Sequence, residues 1–288
     1  MEMKIGIDSY CYHRYFGEVY PIQTAPDTTM TVDDFLVRAA EMGADGVSLE
    51  SCFLPRRDPQ YLSELRGRLD ELELDRVYAW GHPTGLLGGK SPEAYEDMLR
   101  SLEQARALKT DVMRVVGNNG RFRFDEHEKQ IDRLSKLFID AVKEAERQGI
   151  RLAIENHQDY TFAELETLME NVNSPFLGLT FDSGNCLRIL DDPVKGLQRI
   201  GHQVYATHIK DVRLQKGMPA DMWQFFACVP AGQGVVDLTR IIEILDQAGY
   251  RGSLTVEVDY LHSDFQNDED RVVELSIETL RKMVAAKD

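Results

Sequence analysis

Cysteine is scarce in this sequence, and long apolar runs are missing. The four cysteines, Cys11, Cys52, Cys186 and Cys228, lie far apart and form no Cys-x-x-Cys pair. This spacing indicates neither a zinc knuckle nor a small disulfide scaffold. No apolar run reaches the length of a membrane-spanning helix, and the first residues, M-E-M-K-I-G-I-D, lack the apolar core of a signal peptide. We therefore expect a cytoplasmic protein with no membrane partner.

Basic residues are outnumbered by acidic ones. The 288 residues include 33 Lys and Arg against 49 Asp and Glu, so the formal net charge is −16 and the pI is near 4.9. A field of this sign repels nucleic-acid backbones and anionic membrane surfaces. We therefore expect no nucleic-acid partner. Hydrophobic residues at 43% and charged residues at 28% are ordinary values for a globular protein that buries a core.

Short apolar segments alternate with helix-length segments along the chain. Strands are predicted at residues 5–9, 46–50, 76–81, 112–117, 152–155, 177–182, 204–210 and 254–258, with helices between them and an irregular loop from the seventh strand to residue 236. Alternation of this kind predicts a parallel sheet, and eight such units have the size of a (β/α)8 barrel. We expect an α/β fold with one domain over residues 1–288, a single TIM barrel. An open, doubly wound sheet is the alternative.

Alternating positions within each strand predict which side chains face the barrel interior. In the last strand Leu254, Val256 and Val258 share one face, which leaves Glu257 on the other. Active sites of this architecture lie at the C-terminal ends of the strands, so polar side chains there are candidates for function. The rule turns these residues inward: Asp8, Tyr10, Glu50, Trp80, His82, Asn118, Glu155, His157, Asp182, His208, Lys210 and Glu257.

Four of these side chains end the fifth to eighth strands and could bind one metal ion. They are Glu155, Asp182, His208 and Glu257, which would be neighbours around half of the rim. Three carboxylates and one imidazole, without a thiolate, suit Mn, Mg or Co better than structural zinc, although catalytic zinc also fits. We expect one divalent ion, with Mn favoured.

The alternative to a metal site is a layer of ion pairs that caps the barrel. Lys210, Arg114 and Arg213 are the cations that could pair with the inward carboxylates. We favour the metal, because four inward acceptors with few inward cations are costly to bury unless a positive ion lies among them.

Several linked motifs resemble those of a known family. They are A-I-E-N-H at 153–157, F-D-S-G-N at 181–185, H-I-K-D at 208–211, P-A-G-Q-G-V-V-D at 230–237 and V-E at 256–257. In order and spacing they are similar to the xylose isomerase-like barrels, which include ketose 3-epimerases and inosose dehydratases. The resemblance implies that Glu155, Asp182, His208 and Glu257 bind one divalent metal. It also implies that Glu155 and Glu257 are the catalytic acid and base on opposite faces of a ketose.

The resemblance implies one intermediate with several outcomes. A metal that polarises a carbonyl makes the neighbouring C–H acidic, so a glutamate can remove its proton to give an enediolate. Our leading hypothesis is a metal-dependent isomerase or epimerase of a keto sugar or sugar derivative. A lyase or dehydratase that acts on an inosose-like or 3-keto sugar by β-elimination is the runner-up. A non-catalytic sugar-binding barrel or subunit is the hypothesis from another class.

Two positions depart from the ketose 3-epimerases. Those enzymes carry a histidine three residues after the sixth-strand aspartate and an arginine six residues after the seventh-strand histidine. Here the positions hold Asn185 and Leu214, with Arg213 one place early. H-I-K-D followed by Arg213 is closer to the inosose dehydratase branch, where the lysine reaches the substrate. Asn185 also departs from the three-zinc apurinic endonuclease branch, which argues against DNA repair.

A second set of residues could contact a small-molecule sugar. The predicted contacts are His157, Lys210, Arg213, His82, Glu50 and Asn185. For the charged members the alternative is a salt bridge, such as Lys210 with Asp211 or Glu257. Gly232 and Gly234 could cradle a phosphate, but a plain turn is favoured because no Lys or Arg follows in the first turn of the next helix. A homo-oligomer, dimer or tetramer, is compatible with the sequence.

Overall fold

Eight parallel strands form the centre of the molecule. The computed structural model describes residues 3–119, 124–265 and 267–286. The strands of the central sheet are β1 (Lys4–Asp8), β2 (Gly46–Glu50), β3 (Asp75–Ala79), β4 (Val112–Val115), β5 (Arg151–Glu155), β6 (Leu177–Asp182), β7 (Val204–His208) and β10 (Ser253–Val256). They follow the order β10-β1-β2-β3-β4-β5-β6-β7, and every neighbouring pair is parallel.

The sheet closes between β7 and β10. The Ile209 N–H donates to the Thr255 carbonyl at 2.7 Å, and the Glu257 N–H donates to the Ile209 carbonyl at 3.3 Å. The Thr207 hydroxyl also donates to the Ser253 carbonyl at 2.8 Å. These contacts join the two ends of the sheet, so the predicted (β/α)8 barrel is confirmed.

Helices surround the barrel and begin at capping residues. Thr31 and Thr161 each form a capping box, with Asp34 and Glu164 respectively. Ser91 caps the helix that starts with Pro92, a residue suited to the first position of a helix. No helix in the described part of the chain is long and apolar enough to cross a membrane. The helices are α1 (Val32–Glu41), α2 (Pro59–Glu71), α3 (Pro92–Ala107), α4 (His127–Gln148), α5 (Phe162–Val172), α6 (Pro193–Ile200), α7 (Leu238–Gln247) and α8 (Glu269–Ala285).

Small side chains fill the lower interior of the barrel. Val112, Ala153 and Ala206 form a buried cluster there, against which Tyr205 packs. A Cβ atom on Gly178 would lie 2.5 Å from the Tyr205 ring, so only glycine fits that position.

An antiparallel hairpin replaces the irregular loop that the sequence predicts after the seventh strand. It pairs β8 (Asp211–Leu214) with β9 (Phe226–Val229). Val212 and Cys228 face each other in the register and are fully buried, which supplies the apolar contact that a short hairpin needs. The irregular part of the expected loop is thus reduced to residues 215–225, which connect the two strands, and residues 230–236, which lead toward α7.

Two side chains that were expected to face inward point outward instead. The indole N–H of Trp80 donates to Asp97 of α3 at 2.9 Å, and the Asn118 amide donates to Gln130 of α4 at 2.6 Å. Trp80 shares its phase with Tyr78, whose hydroxyl bonds Gln104 of α3. Both side chains bond to helices outside the sheet, so the inward prediction was wrong for Trp80 and Asn118.

A carboxylate fills the glycine-rich turn before α7. Asp211 accepts N–H donors from Gly232 at 2.9 Å, Gly234 at 2.7 Å and Val236 at 3.1 Å. A Cβ atom on Gly234 would lie 2.0 Å from the Asp211 carboxylate. These N–H groups are therefore bound by the chain itself, which favours the plain turn over a phosphate cradle.

We expect Asp211→Asn to lower the free energy of unfolding by about 1–2 kcal/mol, because the amide nitrogen cannot accept the N–H groups that one carboxylate oxygen now binds. Urea denaturation followed by circular dichroism measures the change. Asp237→Asn is the matched control: Asp237 is the exposed N-cap of α7, and Asn caps a helix as well as Asp does. Equal stability of Asp211→Asn and wild type would contradict the role of Asp211.

Candidate active site and metal centre

Four ionisable side chains from neighbouring strands meet at the C-terminal rim. Glu155, Asp182 and His208 end β5, β6 and β7, and Glu257 directly follows β10. All four are buried, and each offers one ligand atom within 4.8 Å of the others. The parallel register produces this grouping, since it pairs Asp182 with His208 across β6 and β7.

The donor atoms of this group fit a cation. His208 Nδ1 lies 2.5 Å from Glu257 Oε2 and 3.6 Å from Glu155 Oε1. Neither His208 Nδ1 nor Glu257 Oε2 forms a hydrogen bond within the described residues. Buried lone pairs without a partner are costly, and a shared divalent ion would satisfy them.

Buried carboxylates outnumber buried permanent cations at this rim. A net negative charge in a low-dielectric interior is unfavourable unless a positive ion compensates it. The layer of ion pairs that was the alternative to a metal site is therefore partly present. Its cations alone cannot balance the negative charge of the carboxylates. Leaving out Glu50, whose pKa burial raises, the acidic side chains are Asp8, Glu155, Asp182, Glu257 and Asp259, and the cations are Arg114, Arg188 and Lys210.

Arg114 contacts two glutamates, Glu155 and Glu50, that differ in charge state. Its guanidinium lies 2.5 Å from Glu155 and 3.1 Å from Glu50. Burial opposes ionisation of Glu155, but Arg114 and His208 outweigh it and hold its pKa well below the usual range. For Glu50 burial prevails over Arg114 and raises the pKa to about 8. Glu155 is thus a carboxylate at neutral pH, and Glu50 is mostly protonated.

Lys210 is held among acceptors at the centre of the site. Its Nζ lies 3.2 Å from Asp182, 3.2 Å from Glu257 and 2.9 Å from Asp259. Burial opposes its charge, but these carboxylates hold its pKa well above the usual range. Burial also opposes ionisation of Glu257, which Lys210 and His208 overcome, and its pKa falls to about 2. Of the two salt bridges considered for Lys210, the one with Glu257 forms; Asp211 faces the glycine turn instead.

Asn185 connects the metal-binding group to the cations Arg188 and Lys210. Its amide nitrogen donates to Glu155 at 3.0 Å and Asp182 at 2.9 Å. Its amide oxygen accepts from Arg188 at 2.8 Å and Lys210 at 3.3 Å. Acceptors on one side and donors on the other fix the orientation of the amide. Predicted as a substrate contact, Asn185 here has its hydrogen-bonding positions filled by protein groups and orients two carboxylates.

Two supporting contacts were not identified from the sequence. Asp8 places Oδ2 3.3 Å from His208 Nε2, while its other oxygen accepts the Tyr10 N–H at 2.6 Å. Asp259 accepts both terminal nitrogens of Arg188, at 2.6 and 2.9 Å. The inward phase of Asp8 at the end of its strand was the only sequence signal, and it did not name a partner.

A cavity of about 720 Å³ opens at the C-terminal rim, and Glu257 is the member of the four-residue group that lines it. Its walls include the predicted contacts Glu50, His82, His157 and Lys210, together with Glu257. Burial lowers the pKa of His157 to about 4, so this imidazole is neutral. The Nδ1 atom of His157 has no hydrogen-bond partner among the described residues, which leaves it available to a ligand.

Arg213 is not grouped with the other candidates. It lies on β8, where its guanidinium is 3.5 Å from Asp264 and its side chain is 36% exposed. It is absent from the cavity wall, because the hairpin turns this position away from the rim.

The fold and the rim residues agree with one known family. Residues 36–283 match the family described as the xylose isomerase-like TIM barrel. The chain belongs to this family. The resemblance drawn from the motifs is therefore confirmed.

Relatives within this xylose isomerase-like family are enzymes. A 3-oxo-isoapionate decarboxylase from Pectobacterium atrosepticum is 25% identical over 236 residues, which cover 82% of this chain and 78% of the relative. An inosose dehydratase from Geobacillus thermodenitrificans is 27% identical over 138 residues, 43% of this chain and 46% of the relative. A crystal structure of the IolI protein with a bound zinc atom has a TM-score of 0.74 and covers 99% of each chain at 15% identity, a likeness that concerns the fold alone.

Proposed function

We propose that this xylose isomerase-like barrel is a divalent-metal-dependent lyase that acts on a keto sugar or sugar derivative. It removes the proton on the carbon next to the carbonyl and then expels a substituent from the following carbon. One observation carries the choice among the reactions open to the family: within the described residues both carboxylate oxygens of Glu155 accept a hydrogen bond, whereas only one oxygen of Glu257 does.

The two glutamates differ in their bonding. Arg114 binds one oxygen of Glu155 at 2.5 Å, and Asn185 donates to the other at 3.0 Å. Lys210 binds one oxygen of Glu257 at 3.2 Å; the second oxygen lies 2.5 Å from His208 Nδ1 but has no hydrogen bond within the described residues. This geometry supplies one proton acceptor, not two, and elimination needs only one base.

Lys210 is the proton donor in this proposal. Glu257 takes the proton from carbon, the bond between the next carbon and its oxygen substituent breaks, and Lys210 protonates the departing oxygen. The products are an unsaturated ketone and water or an alcohol. Lys210 Nζ lies 3.2 Å from Glu257, so the captured proton can return to the lysine and restore both groups.

Glu155, Asp182, His208 and Glu257 would hold the divalent ion. When bound, the ion supplies Lewis acidity that polarises the substrate carbonyl and stabilises the enediolate charge. The oxygen-rich ligand set favours Mn, with Mg, Co or Zn as alternatives. We propose His157 as a neutral hydrogen-bonding group for the sugar; His82, Glu50 and Lys210 line the same cavity.

An isomerase or epimerase is the second candidate, because Glu155 and Glu257 lie at the two ends of the arc of four ligands. That arrangement would place one glutamate on each face of a bound ketose. The reaction requires Glu155 to leave Arg114 and exchange protons. The relatives found by sequence, a decarboxylase and a dehydratase, both remove a group from a substrate, which supports the lyase.

Incubation with Mn²⁺ and three candidate substrates in D₂O tests the proposal. We expect an inosose or a 3-keto glycoside to lose water or alcohol, as measured by mass spectrometry, and a free ketose to remain intact. EDTA should abolish the reaction, and elemental analysis should give roughly one divalent ion per chain. Deuterium uptake with otherwise conserved mass would favour the epimerase instead. Full activity of metal-free protein would contradict both candidates, and sugar binding without turnover would favour a non-catalytic barrel.

A further inference from the structure

The inner and outer parts of the cavity differ in chemistry. The inner part presents the charged side chains of Glu257, Lys210 and Arg114. The outer part presents the rings of Tyr20 and Trp223.

Trp223 is fixed with one face covered. The guanidinium of Arg188, itself fully buried, lies 4.7 Å from the centre of the ring. The rings of Tyr20 and Tyr260 meet it edge-on, at 5.1 and 6.4 Å. Trp223 is half-buried and lines the cavity, so the uncovered part of its ring faces the cavity.

Trp80, the other tryptophan, has a purely structural role and serves for comparison. Trp80 is fully buried, and its indole N–H donates to Asp97 at 2.9 Å. No described residue accepts a hydrogen bond from the Trp223 indole. A rigid, half-covered ring with a free N–H at a cavity wall is a surface for stacking and hydrogen bonding.

The contacts of Asp259 connect the support of this ring to Lys210. One carboxylate oxygen of Asp259 lies 2.6 Å from Arg188 and 2.9 Å from Lys210. Arg188 supports Trp223, and Lys210 is the proton donor for the departing oxygen. The substituent that leaves therefore lies on the Trp223 side of the bound sugar.

We propose that Trp223 is a stacking platform for a ring in the leaving group, so the substrate is a keto sugar joined through oxygen to an aromatic ring or a second sugar. This inference rests on the proposed lyase function, since it assigns the substituent that is expelled. Both kinds of ring offer a flat apolar face to an indole, and the experiment separates them.

Calorimetric titration with unreactive ligands tests the platform without turnover. The probes are phenyl β-D-glucopyranoside, cellobiose and D-glucose, each with Mn²⁺ present. We expect phenyl glucoside or cellobiose to bind about 3- to 10-fold more tightly than glucose, the size of an aromatic stacking contribution. Tighter binding of the phenyl compound identifies an aromatic substituent, and tighter binding of cellobiose identifies a second sugar.

Variants at the same loop provide the controls. Trp223→Ala should remove the preference for a ring, and Trp223→Phe should restore most of it. Phe225→Ala is the matched control, because Phe225 packs against Phe226 and is not part of the cavity wall. Equal binding of the three probes, or a preference that survives Trp223→Ala, would overturn the proposal. Ring preference without elimination activity would instead contradict the lyase function and leave the platform intact.

Discussion

Glu257→Gln is expected to reduce turnover by roughly 10²- to 10⁴-fold while the divalent ion still binds, since that is the usual contribution of a positioned proton-transfer group. The amide keeps an oxygen that can face the ion but cannot accept a proton from carbon. Glu155, Asp182 and His208 remain as ligands. The measurements are the rate of product formation by mass spectrometry and the metal content by elemental analysis.

A buried glutamate outside the cavity gives the matched control. Glu269 is 5% exposed and accepts two hydrogen bonds from Arg14, at 2.6 and 2.9 Å. Glu269→Gln weakens a buried ion pair and should lower stability, yet the folded protein should keep its turnover. Normal turnover of Glu257→Gln would remove the proton-transfer role. Loss of metal and turnover together would assign Glu257 as a ligand alone.

The grouping of side chains at the strand ends was predictable from the sequence, because two rules apply there together. Alternating apolar positions give the phase of each strand, and the barrel architecture collects strand ends at one rim. Glu155, Asp182 and His208 could thus be placed together although no sequence feature links them directly. Glu257 follows the last residue of β10 and keeps its phase, so it joins the group.

The direction predicted from alternating strand positions was wrong where the strand had ended or the side chain was too large. Trp80 lies one residue past β3 and keeps the outward face of Tyr78, since its indole finds a carboxylate on α3. The β8–β9 hairpin was missed because its strands are four residues long and lie across the rim, outside the repeating strand–helix units. Arg213 is carried away from the cavity by that same hairpin.

Partners that are distant in the chain could not be assigned from one sequence. The four hydrogen bonds of Asn185 involve three different segments, and only the folded barrel shows that none is left for a substrate. The contact of Asp8 with His208 joins β1 to β7 across the barrel interior. Both sets of contacts depend on which side chains the closed barrel brings together. The alternation of strand positions predicts which way a side chain points but not how far it lies from another side chain.

Asp8→Asn is expected to weaken divalent-metal binding by about 10- to 100-fold, the usual effect of losing a carboxylate behind a metal-binding histidine. Asp8 Oδ2 lies 3.3 Å from His208 Nε2, and a carboxylate at this distance favours the tautomer with its proton on Nε2, which leaves the lone pair of Nδ1 toward Glu257 and Glu155. An amide in its place can donate to Nε2, which moves the ring proton to Nδ1 and blocks the ligand position. The backbone cap survives, because Asn can still accept the Tyr10 N–H.

Asp159→Asn is the control that separates this tautomer effect from the loss of a buried carboxylate. Asp159 is 2% exposed near the same rim and, within the described part of the chain, accepts only the backbone N–H groups of Asn118 and Tyr160. Burial raises its pKa to about 8, so an amide changes little there. Calorimetric Mn²⁺ titration gives the two affinities, and ¹⁵N spectra of histidine report the tautomer of His208. An unchanged affinity in Asp8→Asn, or an equal loss in Asp159→Asn, would show that Asp8 does not orient the ligand.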